Sequence, residues 1–263
     1  MAASRTFQRR TGSAPVSAES LTFGPGNGGP PDTVLCWLWT DPRYRADAYN
    51  ASHVVALQRM VARHFHAPHR FACVTDHELP DHIERIIPTH RELNKIRSPH
   101  GSRFPSCYRR LVMFAPGAGE VFGRRFVSID LDIVIVGDVT ELWSRPEPFV
   151  AWRDLHPRCL YNGSMMMLTA GQRPKVWSDF NPDTSPRMAV RKYNGSDQGW
   201  ISYRLGPGQG TWTGADGVYS FKHEIRGREL PANAKVVIFH GDTKPWHPEA
   251  QALPWVREHW GTV

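Results

Sequence analysis

FVSIDLDIVIVGDVTELW, residues 126–143, holds two apolar runs, FVSI and IVIV, with two acids set between them. Such runs, bounded by turn residues like Gly137-Asp138, read as strands covered on both faces, the pattern of a mostly parallel sheet. Asp130 and Asp132 are out of place in that setting, because burying an unpaired charge costs several kcal/mol. Along a strand, a spacing of two puts both carboxylates on one face. There they offer oxygen ligands to a divalent cation, Mg2+ or Mn2+. A second reading stays open: Asp130 caps a turn and Asp132 pairs with an arginine.

Upstream, Thr33–Thr40 (TVLCWLWT) predicts a strand buried on both faces, and apolar residues from Ala51 to Phe65 recur at helical spacing. His69–Thr75 and Ile83–Ile87 predict two further strands. Strand, helix and strand in this succession make a βαβ unit, hence an α/β fold with a mostly parallel central sheet and helices on both faces. Ligands in such sheets bind beyond the carboxyl ends of the strands, which singles out Thr40 and Asp76. Ser106–Phe114 (SCYRRLVMF) reads as a short helix. Downstream, Phe149–Arg153, Tyr161–Leu168 and Val236–His240 predict strands, Val139–Trp143 a helical turn and Gln198–Arg204 a helix.

Residues 1–31 are rich in Ser, Gly and Pro and read as a flexible arm before a single domain, 32–263. They carry no apolar core of a secretory signal, and no apolar run is long enough to span a bilayer. The four cysteines, Cys36, Cys73, Cys107 and Cys159, are widely spaced and show no zinc-site pattern. They point to a reducing compartment, so a cytoplasmic protein is expected. With 40% hydrophobic residues the chain can build a core, which excludes long disorder, collagen and coiled coil. The formal charge is +7, and eight basic residues between Pro88 and Arg125 face only Glu92 and Glu120. Such a cluster predicts an anionic ligand, nucleic acid or a phosphorylated small molecule. Of the ten tryptophans, Trp37, Trp39 and Trp143 read as core. Trp200, Trp212 and Trp246 read as core or as stacking surfaces for a sugar or base.

His240 ends the late apolar run VVIFH and is followed by Gly241 and, three residues further on, by Lys244. An imidazole at a strand end is either a third ligand beside the two carboxylates, suiting Mn2+ rather better than Mg2+, or a hydrogen-bonded structural residue. Lys244 is a point charge able to meet a diphosphate. Asp154, Asn162, Asp197 and Gln198 fall at strand ends or helix starts, where they can bind sugar hydroxyls or simply cap and turn the chain.

Taken in order, YRRL (108–111), the 126–143 segment, YNGSMMML (161–168), GSDQGWIS (195–202) and FHGDTKPW (239–246) make the chain resemble nucleotide-sugar glycosyltransferases of the GT-A fold. The resemblance is to the retaining group that includes glycogenin and bacterial lipopolysaccharide galactosyltransferases. It implies a metal-dependent hexosyl transfer from a nucleotide sugar, a UDP-sugar, to an unidentified acceptor, with retention. It implies that Asp130, Asp132 and His240 hold Mn2+, with Mg2+ as the alternative. It places Arg110 on the donor, Lys244 on its diphosphate and Asp76 on the uracil edge. Asn162, Asp197 and Gln198 fall near the donor sugar and the reacting carbon. Familiar members have more than three residues between the histidine and the lysine, so the late loop closes differently here. On this reading the basic cluster draws in a polyanionic donor and no nucleic acid is expected. Two rivals are a sugar-phosphate nucleotidyltransferase, against which the missing Gly-rich triphosphate loop speaks, and a non-enzymatic basic protein binding nucleic acid or carbohydrate.

Overall fold

The structure, a computed structural model, describes residues 9–10, 29–39, 49–101, 104 and 106–261. The expected arm therefore lies mostly outside the described residues, and so does Thr40. The strands are β1 (Arg9–Arg10), β2 (Thr33–Trp37), β3 (Arg70–Val74), β4 (Glu84–Ile86), β5 (Arg125–Ile129), β6 (Ile133–Ile135), β7 (Phe149–Trp152), β8 (Asn162–Thr169), β9 (Gly210–Trp212), β10 (Val218–Ser220) and β11 (Val236–Ile238). Eight form the main sheet in the order β1-β4-β3-β2-β5-β8-β7-β9. β4, β3, β2 and β5 run parallel, β8 is antiparallel to both neighbours, and β7 and β9 are parallel again. The mixed α/β architecture with a mostly parallel sheet is thus as expected. β10, β11 and β6 make a second, three-stranded sheet.

The apolar runs are continuous because both faces of the main sheet are covered. Val34, Cys36, Val127, Ile129, Met165 and Met167 point into one core; Leu35, Trp37, Phe126, Met166 and Leu168 point into the other. On the first face lie the small sheet, α1 (Ala51–His64) and, near the carboxyl terminus, Pro254–Trp260, a short helix. On the second lie the 3-10 helix Tyr108–Phe114, the short helix Ala118–Phe122 and α2 (Asp197–Leu205). α1 begins with a capping box in which Asn50 receives the Ser52 N–H at 2.8 Å and His53 Nδ1 receives the Asn50 N–H at 3.2 Å.

The acid pair departs from its sequence reading. Asp130 and Asp132 do not alternate along one strand. They occupy the turn in which the chain leaves β5 in the main sheet and enters β6 in the small one. Both sheets bury their apolar residues, so the hydrophobic pattern runs straight through the break. The basic cluster is not one surface either. Arg110 and Arg125 are buried, and Arg109 lies 4.3 Å above the Trp39 ring. Arg125 sits at the opposite end of β5 from Asp130, donating to Thr169 Oγ1 at 2.8 Å and to the carbonyls of Arg145 and Glu147. Arg91, Lys95 and Arg97 are the exposed members, and Arg103 lies outside the described residues.

Candidate active site

Arg110 organises the carboxyl end of β5. It comes from the 3-10 helix, is only 4% exposed, and spends its donors on three partners. Its Nε donates to Asp197 Oδ2 at 2.7 Å, and one terminal nitrogen donates to Asp130 Oδ1 at 2.6 Å and to the Gly163 carbonyl at 2.8 Å. Burial opposes its charge, yet Asp197 and Asp130 more than offset that and hold the guanidinium more firmly protonated than usual. A Cβ on Gly163 would lie 2.3 Å from the other terminal nitrogen, so the fork fits only over a glycine. Asp197, 1% exposed, opens α2, and Gln198 beside it accepts the Gly163 N–H at 3.1 Å. The chain reaches that helix through Gly195 at φ +90°, where a Cβ would strike the Gln198 side chain.

Asp130 keeps 29% of its side chain exposed. Burial of the rest pushes its carboxyl up to about 6, against the downward pull of Arg110 and with the neighbouring Asp132 adding to the rise. Its backbone N–H donates to the Ser164 carbonyl at 2.9 Å, pinning the turn to β8. Asp132 is buried, and one oxygen accepts from two groups: Tyr49 OH at 2.9 Å and Lys244 Nζ at 2.5 Å. Burial and the charges of Asp132 and Asp130 raise the Tyr49 phenol well above its ordinary range, so it stays a donor.

His240 lies beside this centre rather than in it. Its Nε2 shares a hydrogen bond with Ser220 Oγ at 2.7 Å, and its ring packs 5.2 Å from Trp152 and 5.4 Å from His223. Burial lowers its pKa while Asp154 pulls it up. A small hollow of about 30 Å³ opens next to it, lined by Lys222, Arg226 and Asp242 among others. A larger cavity of about 260 Å³ is lined by none of the candidate residues. Asp154 accepts from Asn162 Nδ2 at 2.7 Å, which links β7 to β8 across their irregular register. Asp76 is exposed beyond the end of β3, on the same edge of the sheet.

The structure therefore gathers Asp130, Asn162, Asp197, Gln198 and Arg110 around Gly163, and Asp132 with Lys244 next to them. Carboxylate and imidazole are the right donor types for Mn2+ or Mg2+. Among the described residues, however, no three His, Cys, Asp or Glu side chains are grouped closely enough to hold an ion. The second reading of the acid pair is half met with the roles exchanged: Asp130 takes the arginine and Asp132 a lysine. Tyr49 and Ser220 were not legible in the sequence, since each reaches the site from an element with no motif of its own. Trp200 and Trp212 are core, with their indole N–H groups donating to the Val176 and Leu142 carbonyls.

No family model matches the chain, and no curated protein matches it. Among solved structures, an active-site mutant of LgtC superposes with a TM-score of 0.56 at 14% identity, covering 86% of this chain and 93% of that one. The galactosyltransferase LgtC in complex with donor and acceptor sugar analogs superposes with a TM-score of 0.52 at 14% identity, covering 87% and 95%. The chain has the GT-A glycosyltransferase fold.

Proposed function

We propose that the chain is a metal-dependent glycosyltransferase that moves a hexosyl unit from a nucleotide sugar, a UDP-sugar, to an acceptor hydroxyl with retention. The observation that carries this reading is the Arg110 clamp. It joins the acid pair that would face the diphosphate to Asp197 and Gln198, which would face the sugar, within one turn of chain around Gly163. A fold alone does not define a reaction; this placement gives it a site.

Asp130, Asp132 and His240 would hold Mn2+, with Mg2+ as the alternative. When bound, the ion would neutralise charge that builds on the departing diphosphate. Lys244 supplies a further positive charge at the same edge, and Arg110 fixes the carboxylates rather than reaching out of the site. Asn162, Gln198 and Asp154 would bind and orient sugar hydroxyls, and Asp76 a base edge. Asp197 is tied to Arg110 and buried, which supports front-face attack over a protein nucleophile. In that route the acceptor oxygen bonds to the anomeric carbon on the face from which the diphosphate leaves, and a departing phosphate oxygen takes the acceptor's proton. The free cysteines support a cytoplasmic setting. No helix among the described residues is long and apolar enough to cross a membrane.

A panel of UDP-sugars incubated with the protein and MnCl2 tests the proposal. One donor should be hydrolysed to UDP, with activity lost in EDTA and in Asp132→Ala. Turnover that persists in EDTA removes the metal, and pyrophosphate released from a sugar phosphate plus a nucleoside triphosphate replaces the reading with nucleotidyl transfer.

A further inference from the structure

We propose that Lys244 is a resident counter-ion of Asp132, which a divalent cation has to displace before it can load. The inference rests on the metal-dependent reading above and adds an ordering that reading does not contain. Asp132 is 5% exposed, and a buried carboxylate needs a cation beside it. Lys244 fills that need at 2.5 Å on the same oxygen that Tyr49 occupies, so this oxygen has little capacity left. The ammonium has one other acceptor, the Phe239 carbonyl at 3.3 Å, and the Tyr49 ring at 5.7 Å. The short His240–Lys244 loop holds it there: the Lys244 N–H donates to His247 Nδ1 at 3.3 Å, and the His247 N–H returns to the Lys244 carbonyl at 3.0 Å.

The two cations on the acid pair differ in how free they are to leave. Arg110 is locked on Asp197, Asp130 and the Gly163 carbonyl in a planar fork. Lys244 rides a flexible four-carbon stem with 18% of its side chain open to water. An arriving divalent ion meets an ammonium already seated on Asp132, and two like charges on one carboxylate oppose each other. A diphosphate removes the conflict by giving Lys244 a new anionic partner. Ion and nucleotide therefore bind cooperatively, and by linkage each raises the affinity of the other by the same factor.

Titration of the full chain with MnCl2, followed by the electron paramagnetic resonance signal of free Mn2+, reads this directly, with and without UDP. In wild type, Mn2+ should bind weakly alone and about tenfold tighter with UDP, a coupling of ordinary size. In Lys244→Met, Mn2+ alone should bind about tenfold tighter than in wild type and the gain from UDP should shrink. Lys244→Arg, which keeps the charge, should resemble wild type. Equal or weaker Mn2+ binding by Lys244→Met overturns the counter-ion proposal while leaving metal dependence standing. Absence of Mn2+ binding in every protein, even with UDP, overturns both. Should Lys244→Met fail to fold, acetylation of native Lys244 replaces it as readout. Reactivity should rise on adding MnCl2 alone, and an unchanged rate overturns the proposal.

Discussion

Arg110 and Gly163 depend on each other at the level of single atoms. The guanidinium lies where a Cβ of residue 163 would be, and it compensates two buried carboxylates. Gly163→Ala should push the fork off at least one of its partners, costing about 1–3 kcal/mol by the overpacking rule. Arg110→Lys should cost about 3 kcal/mol or more, because a single ammonium cannot serve Asp197, Asp130 and a carbonyl together. Urea melts of both single variants and the double variant check this: the losses should be clearly less than additive. Additive losses would mean that the contact between the two residues does not matter. The chemical character of the site was legible residue by residue, since two acids amid apolar runs demand partners. Which partners they take was not. Asp130 pairs with Arg110 and Asp132 with Lys244 through contacts between segments far apart in sequence, and Tyr49 arrives just ahead of α1 with no local signature.

Among the elements, the start of α1 and the carboxyl-terminal helix share an aromatic stack. His53 lies 3.8 Å from the Trp246 ring and nearly parallel to it, with Trp260 at 6.0 Å and Tyr49 at 6.3 Å. Burial lowers the His53 pKa to about 4, although Asp132 pulls it back up. Its Nδ1 must also stay unprotonated to receive the Asn50 N–H. In the unfolded chain the imidazole titrates near its usual ~6.5. The unfolded state therefore binds the extra proton first as pH falls, and the stabilisation is full above about 6.5 and is lost as pH drops through about 4. The shift corresponds to about 3 kcal/mol at most. Stability of wild type minus that of His53→Gln, from urea melts at neutral pH and at pH 5, should narrow toward low pH. A constant difference would show that His53 does not titrate as described. Most elements were legible where periodicity was strong: β2, α1, β3 and β8 lie inside their predicted ranges or within a residue of them. The break between β5 and β6 was not, because both strands are buried and only the turn separates them. β9, β10 and the π-helical turn Phe221–Ile225 were missed as well, since elements of three to five residues carry no readable period.

For the whole molecule, the charge surplus does less at the surface than its count suggests. Part of the basic segment is consumed in the interior, by Arg110 at the acid pair and by Arg125 at the far end of β5, roughly 16 Å of strand away. The remaining exposed cations leave a modest field, which favours a small polyanion held by a defined site over a long nucleic acid. Ligand binding to the folded state stabilises it by about 2.7 kcal/mol at a hundred times Kd. In a domain of this size that corresponds to a Tm rise of about 5–10 °C. MnCl2 with UDP should produce such a rise, and EDTA should reverse it. A melting curve unmoved by UDP and Mn2+ together at millimolar concentration would count against the donor assignment. The Gly163 carbonyl and the two carboxylates that Arg110 joins come from three separate stretches of chain, so no one of them can drift by itself. Among descendants of a common ancestor, a side chain at position 163 should be seen only where the arginine at 110 has already gone, and the two changes should be inherited as a pair.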